Sequence, residues 1–250
     1  MFKTIRVLVA LLGAALISHA SATQAAVIAG WDFSGLTDGG PNNLSASTED
    51  PAVAVQGLAR NGPGPNDPQA NAGVGTFGSN ALVAQNQADA ITFGSYLSFS
   101  ITTLEPGVSL TDIAAYNTWV HDQDPSTLPP SDFFGVWQYR TDANAFADIG
   151  SSFQLITSGG TGQQTKTQSA LALSGFSDLQ SMDSGTQADF RFVIWGAGYG
   201  ANYAGFNSFQ AGDDLIINGT VPVPEPSTAM LALVAVAAGI ASARLRRSVK

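Results

Sequence analysis

The sequence predicts an all-β chain built as one β-sandwich of jelly-roll type. Three observations predict it. Period-two alternation recurs in short segments, amphipathic helical runs are scarce, and turn-forming residues are abundant, with 27 Gly and 12 Pro in 250 residues. Alternation sends successive side chains to opposite faces, so a strand with one buried face is apolar at every second position. Many such strands between Gly/Pro/Asn turns suit sheet packed on sheet. No fixed-period repeat is present, which argues against a solenoid.

The clearest segment is Ile91 to Ile101. Ile91, Phe93, Leu97, Phe99 and Ile101 share one parity, with Ser95 the exception, and Thr92, Gly94, Tyr96, Ser98 and Ser100 share the other. A second strand is expected from Asp189 to Trp195, with Phe190, Phe192 and Ile194 on one face and Arg191, Val193 and Trp195 on the other. A third, Asp214 to Val221, carries Leu215 and Ile217 and a turn or bulge at Gly219. Weaker strand signals lie at 27–33, 52–58, 109–120, 133–140, 153–157 and 167–173. The segments 38–49 and 60–78 read as loops, because N-G-P-G-P-N-D-P at 61–68 cannot form a central strand.

The two ends read as targeting segments. Lys3 and Arg6 precede an 11-residue apolar run, Val7 to Ile17, and small residues with A-x-A-like spacing come next. That is a secretory signal peptide over residues 1–26, cut between Ala22 and Ala26. At the other end Pro222, Pro224 and Pro226 keep the chain extended. Ser227 to Ala243 is then 17 residues without a charge. As a helix it spans roughly 26 Å, and reaching Leu245 with snorkelling Arg side chains closes the gap to a bilayer core. Arg244, Arg246, Arg247 and Lys250 come at once after it and place that end in the cytoplasm. The expected domains are therefore 1–26, an exported domain at 27–221 and a tail at 222–250.

Pro224, Glu225 and Pro226, the apolar helix at about 227–245 and the basic end at 244–250 together resemble the PEP-CTERM sorting signal of Gram-negative bacteria. The resemblance implies that an exosortase reads the motif, removes the helix, and releases or attaches the protein at the cell surface. Export machinery is implied as a further partner. The body is similar to exported proteins of this kind in Trp31-Asp32-Phe33, in Phe190–Phe192 and in Asp213–Gly219. That likeness implies a β-sandwich, with these positions architectural.

Between Asp32 and Glu225 stand four basic residues, Arg60, Arg140, Lys166 and Arg191, against all 19 acidic ones, a net charge of −15. Such a surface disfavours nucleic acid and anionic membranes. No cysteine is present, which removes disulfides, thiol catalysis and Cys-ligated metals.

No catalytic residue is assigned. His121 is the single histidine of the exported part, no G-x-S-x-G elbow supplies a nucleophile, and His121 reads as a solvated turn residue beside Asp122 and Asp124. Gly196-Ala197-Gly198-Tyr199-Gly200 lacks the helix that should come after a dinucleotide loop and reads as a long hairpin connection. Asp122, Asp124 and Asp132 form the densest acidic loop, a candidate calcium site that Asp-Pro turn chemistry explains equally well. Arg191, Trp195 and Tyr199 form a candidate carbohydrate platform, against the alternative that Trp195 packs into the core. The leading expectation is a non-catalytic protein of the cell surface or exopolysaccharide matrix. A carbohydrate-binding module is the alternative, and a surface glycoside hydrolase or lyase, needing a spaced carboxylate pair, is the third.

Overall fold

Strands form almost everywhere the alternation is strong. The computed structural model describes residues 23–36, 41–61, 75–79, 84–122, 133–155, 162–196, 202–208 and 212–223. By its contacts the chain divides into a unit of Ala25–Val221 and a second of 1–24 with 222–250; the sheets and the core belong to the first. The apolar helix expected at 227–245, the motif Pro224–Pro226, the basic residues Arg244 to Lys250 and the leader through Ala22 lie outside the described residues. No helix among the described residues is long and apolar enough to cross a membrane.

The described strands are β1 (Thr23–Trp31), β2 (Asn43–Leu44), β3 (Thr48–Glu49), β4 (Val53–Asn61), β5 (Thr76–Ser79), β6 (Tyr96–Thr103), β7 (Ser109–Ile113), β8 (Tyr116–Asp122), β9 (Phe134–Thr141), β10 (Ala147–Gln154), β11 (Gly162–Gln168), β12 (Leu171–Ala172), β13 (Gln187–Trp195), β14 (Asn202–Asn207) and β15 (Leu215–Pro222). They form three antiparallel sheets, in the orders β12-β7-β15-β1-β3, β10-β9-β13-β6-β4-β2 and β11-β8-β14-β5. Among the described residues one short α-helix, α1 (Gln87–Phe93), accompanies them. The expected third strand is β15, and its register shifts between Asn218 and Gly219, so Gly219 sits at a bulge.

All three sheets feed one core. Trp31, Phe99, Tyr116, Trp137, Phe190, Phe192 and Phe206 are buried in it. The Trp137 indole N–H donates to the Tyr116 hydroxyl at 2.8 Å, so the polar tip of a fully buried ring is satisfied. Burial pushes the Tyr116 hydroxyl well above the ordinary phenol range.

Four expectations are corrected. Ile91 and Phe93 are helical: Asn86 caps α1 by accepting from the Asp89 N–H, and Gly94 ends it at φ 74 in the left-handed region. β6 therefore begins at Tyr96, and Ser95, the break in the alternation, marks the junction. The segment 109–120 is two strands in different sheets, β7 and β8, parted at Ala114–Ala115. Thr76–Gly78, expected in a loop, belong to β5, which pairs with β14, a strand that no alternation marks. The glycine-rich segment after Trp195 links strands of different sheets, so it is no hairpin.

Gly78 and Gly205 explain how β5 and β14 pair. They lie directly opposite each other. A Cβ on Gly205 would come 2.2 Å from the Phe77 carbonyl oxygen, and one on Gly78 would come 3.0 Å from the Trp119 ring. Trp119 is the cross-strand partner of Gly205 and is fully buried.

A second clip joins the start and end of the domain. Phe33 N–H donates to the buried Asp214 carboxylate at 2.7 Å, and Asp214 N–H donates to the Trp31 carbonyl at 2.8 Å. Ser47 Oγ bonds Asp213, which leans over Gly30. The Trp31–Phe33 and Asp213–Gly219 motifs thus meet in space and act as architecture.

Candidate functional site

One face of the six-stranded sheet builds the core, and the opposite face carries the candidate site. Register explains its makeup. Arg140 of β9, Asp189 of β13, Ser100 of β6 and Gln56 of β4 stand in one cross-strand row. The next row holds Asp148 of β10, Gln138, Arg191 and Ser98, and the third holds Val136, Val193, Tyr96 and Asn61. Every one of these positions is out of phase with Phe190, Phe192 and Ile194, as period two requires.

The two ends of this face differ. Over Val136 and Val193 lies a small apolar cluster with Ala84 and Ala90, packed by Ile91, Tyr96 and Trp195. Helix α1 therefore covers that end. The other end is an open groove of about 290 Å³, bounded by Arg140 and Arg191 with Phe146 on one side and by Asn61, Ser98 and Gln56 on the other. That volume lies near the low end for small-ligand clefts.

Its polar groups are held in place by one another. Asp189 accepts from Arg140 Nε at 2.7 Å, Ser100 Oγ at 2.7 Å and Gln187 Nε2 at 2.6 Å. Burial acts to raise its carboxyl pKa, and these three donors outweigh burial and hold it below the ordinary range. Arg191 Nε donates to Gln138 Oε1 at 2.6 Å. The Gln138 amide N–H₂ donates in turn to Asp148, which also accepts from Gln87 of α1. Burial, with a smaller push from Arg140, lowers the Arg191 pKa, although Tyr96 and Asp148 act to raise it. Both guanidiniums stand over the Phe146 ring, Arg140 at 4.7 Å and Arg191 at 3.8 Å from its centre. Asn61 Nδ2 donates to Ser98 Oγ at 2.8 Å.

Of the expected platform, Arg191 lies in this groove. Trp195 does not: it stacks on Phe134 at 6.0 Å and packs against the α1 cluster. It is half-buried there, off the main core. Tyr199 lies outside the described residues. The aromatic partners of Arg191 are instead Phe146 and Tyr96, the latter 5.4 Å away. Phe146 sits in the β9–β10 turn, where no periodicity marks it. The face it serves was readable from the polar parity of β6 and β13.

His121 and Asp122 end β8, paired with β11 and β14, so the turn assignment for His121 is corrected. Asp124 and Asp132 lie outside the described residues. Among the described residues no cluster of three acidic or histidine side chains could hold a metal ion. Comparison of the sequence with family models and with curated proteins finds no match.

Proposed function

We propose that this is a non-catalytic, exported β-sandwich protein that binds carbohydrate at the cell surface. The groove on the outer face of the six-stranded sheet is the observation that carries the reading. It offers planar guanidiniums, an aromatic ring, an amide and hydroxyls on a rigid sheet, the set that fixes sugar hydroxyls and stacks on apolar sugar faces. Asp189 is unsuited to serve as the general acid of a hydrolase. A general acid needs a raised pKa, and this carboxylate is held ionised by three donors.

The sandwich reading rests on the shared core: the six-stranded sheet is one layer, and the other two sheets together form the second, continuous from β7 to β8. Export and sorting rest on the end segments. A signal peptide cut after Ala22 leaves all of β1 in the mature chain, and the 222–250 tail acts as a PEP-CTERM signal read by an exosortase at Pro224-Glu225-Pro226.

Affinity electrophoresis in polysaccharide-containing gels, with a parallel reducing-end assay, tests the function. Retardation by a polysaccharide without release of reducing ends is expected. Release of reducing ends would replace binding by hydrolysis.

A further inference from the structure

We propose that the groove takes a saccharide bearing a single carboxylate and that Arg191 reads that carboxylate; this rests on the saccharide-binding reading above. The four basic residues between Asp32 and Glu225 are differently employed. Arg60 is buried over the Phe77 ring, and Lys166 Nζ donates to the Gln154 carbonyl. Arg140 is paired with Asp189. Arg191 is half-buried, and its Nε bonds a neutral amide. The carboxylate of Asp148 accepts from Gln138 and acts on Arg191 through its charge alone, the smallest of the influences on that guanidinium.

A half-buried cation that contacts no carboxylate among the described residues is costly to keep, and a second guanidinium over the same ring adds to the cost. An incoming carboxylate relieves both. With Nε on Gln138 and a further hydrogen bond to the Tyr96 side chain, the N–H donors that remain match a carboxylate in the two-point geometry of a planar guanidinium. Gln138 and Phe146 fix the guanidinium plane in advance, so little freedom is lost on binding. Ser98, which accepts from Asn61, keeps its own hydroxyl proton for a neighbouring sugar oxygen.

The charge of the rest of the domain limits the class. A net −15 between Asp32 and Glu225 repels a densely charged polymer, whose charges lie within a Debye length, about 8 Å at physiological salt, of the acidic surface. A saccharide with one isolated acid per several sugars meets the arginines without that penalty. Uronic-acid-substituted neutral glycans have this chemistry.

Isothermal titration of the full chain tests it with three probes. These are an oligosaccharide carrying one glucuronate, the same oligosaccharide with that carboxyl reduced to an alcohol, and sodium acetate. The acid form should bind roughly tenfold tighter than the reduced form. Arg191→Gln should erase that preference, so that acid and reduced forms bind alike whatever affinity is lost for both, and Arg191→Lys should recover part of it. Equal binding of acid and reduced forms overturns the carboxylate assignment and leaves saccharide binding standing. No binding of either overturns both. Acetate competing as well as the acid oligosaccharide would make this a simple anion site and overturn the saccharide claim. If Arg191→Gln does not fold, the comparison of probes on the unaltered chain still decides.

Discussion

The Arg191 guanidinium lies 3.8 Å from the centre of the Phe146 ring, joining a strand of the sheet to the turn that walls its groove. Arg140 shares the ring. Each such contact contributes about 0.5–1 kcal/mol when partly exposed. Phe146→Ala should lower stability by about 1–2 kcal/mol and weaken saccharide retention several-fold. Urea unfolding and gel retardation on one preparation check both. Unchanged retention would mean the ring serves only to hold the arginines.

Asp189 gives a pH signature. Its folded carboxyl is held below the unfolded value of about 3.9. Its contribution is therefore fully present above that value and is lost as pH falls through the lower folded value. Asp189→Asn should cost about 1–2 kcal/mol at neutral pH, discounted because Arg140 is partly exposed. The gap from the unaltered chain should close in strong acid. Unfolding curves at neutral pH and in strong acid test this, and a gap independent of pH would contradict it.

Asp214 closes the domain on Phe33. Asp214→Ala strands a buried backbone N–H and should destabilise by about 1–3 kcal/mol, read by urea unfolding. Asp214→Asn, which keeps an acceptor, should recover part. Equal losses for the two would mean that charge, and not the acceptor, matters.

At Gly205 there is no room for a side chain beside the Phe77 carbonyl. Gly205→Ala should cost about 3 kcal/mol or more, a melting shift of roughly 6–12 °C for a domain of this size. Gly175→Ala, where a Cβ meets nothing within 4 Å, is the control and should shift little.

Local pattern discloses some of these residues and hides others. β13 and β15 alternate cleanly, so both were legible, and with β13 came Arg191 on the outer face. Ile91 and Phe93 mimic period two by chance, and only the caps Asn86 and Gly94 betray α1. β5 and β14 contain Gly78 and Gly205, which lower strand propensity yet are required by the close pairing beside Trp119. The neighbours of Arg191 come from β4, β6, β9 and the β9–β10 turn. That meeting is set by sheet order, which local pattern does not carry.

The most direct test of the central claim is a glycan array probed with the full chain and with Ser100→Trp, whose indole fills the groove from the exposed face. The unaltered chain should bind a restricted set of saccharides, and Ser100→Trp should bind none of them while keeping its melting temperature within a few degrees. Undiminished binding by Ser100→Trp, or no binding by the unaltered chain, would contradict saccharide recognition in this groove.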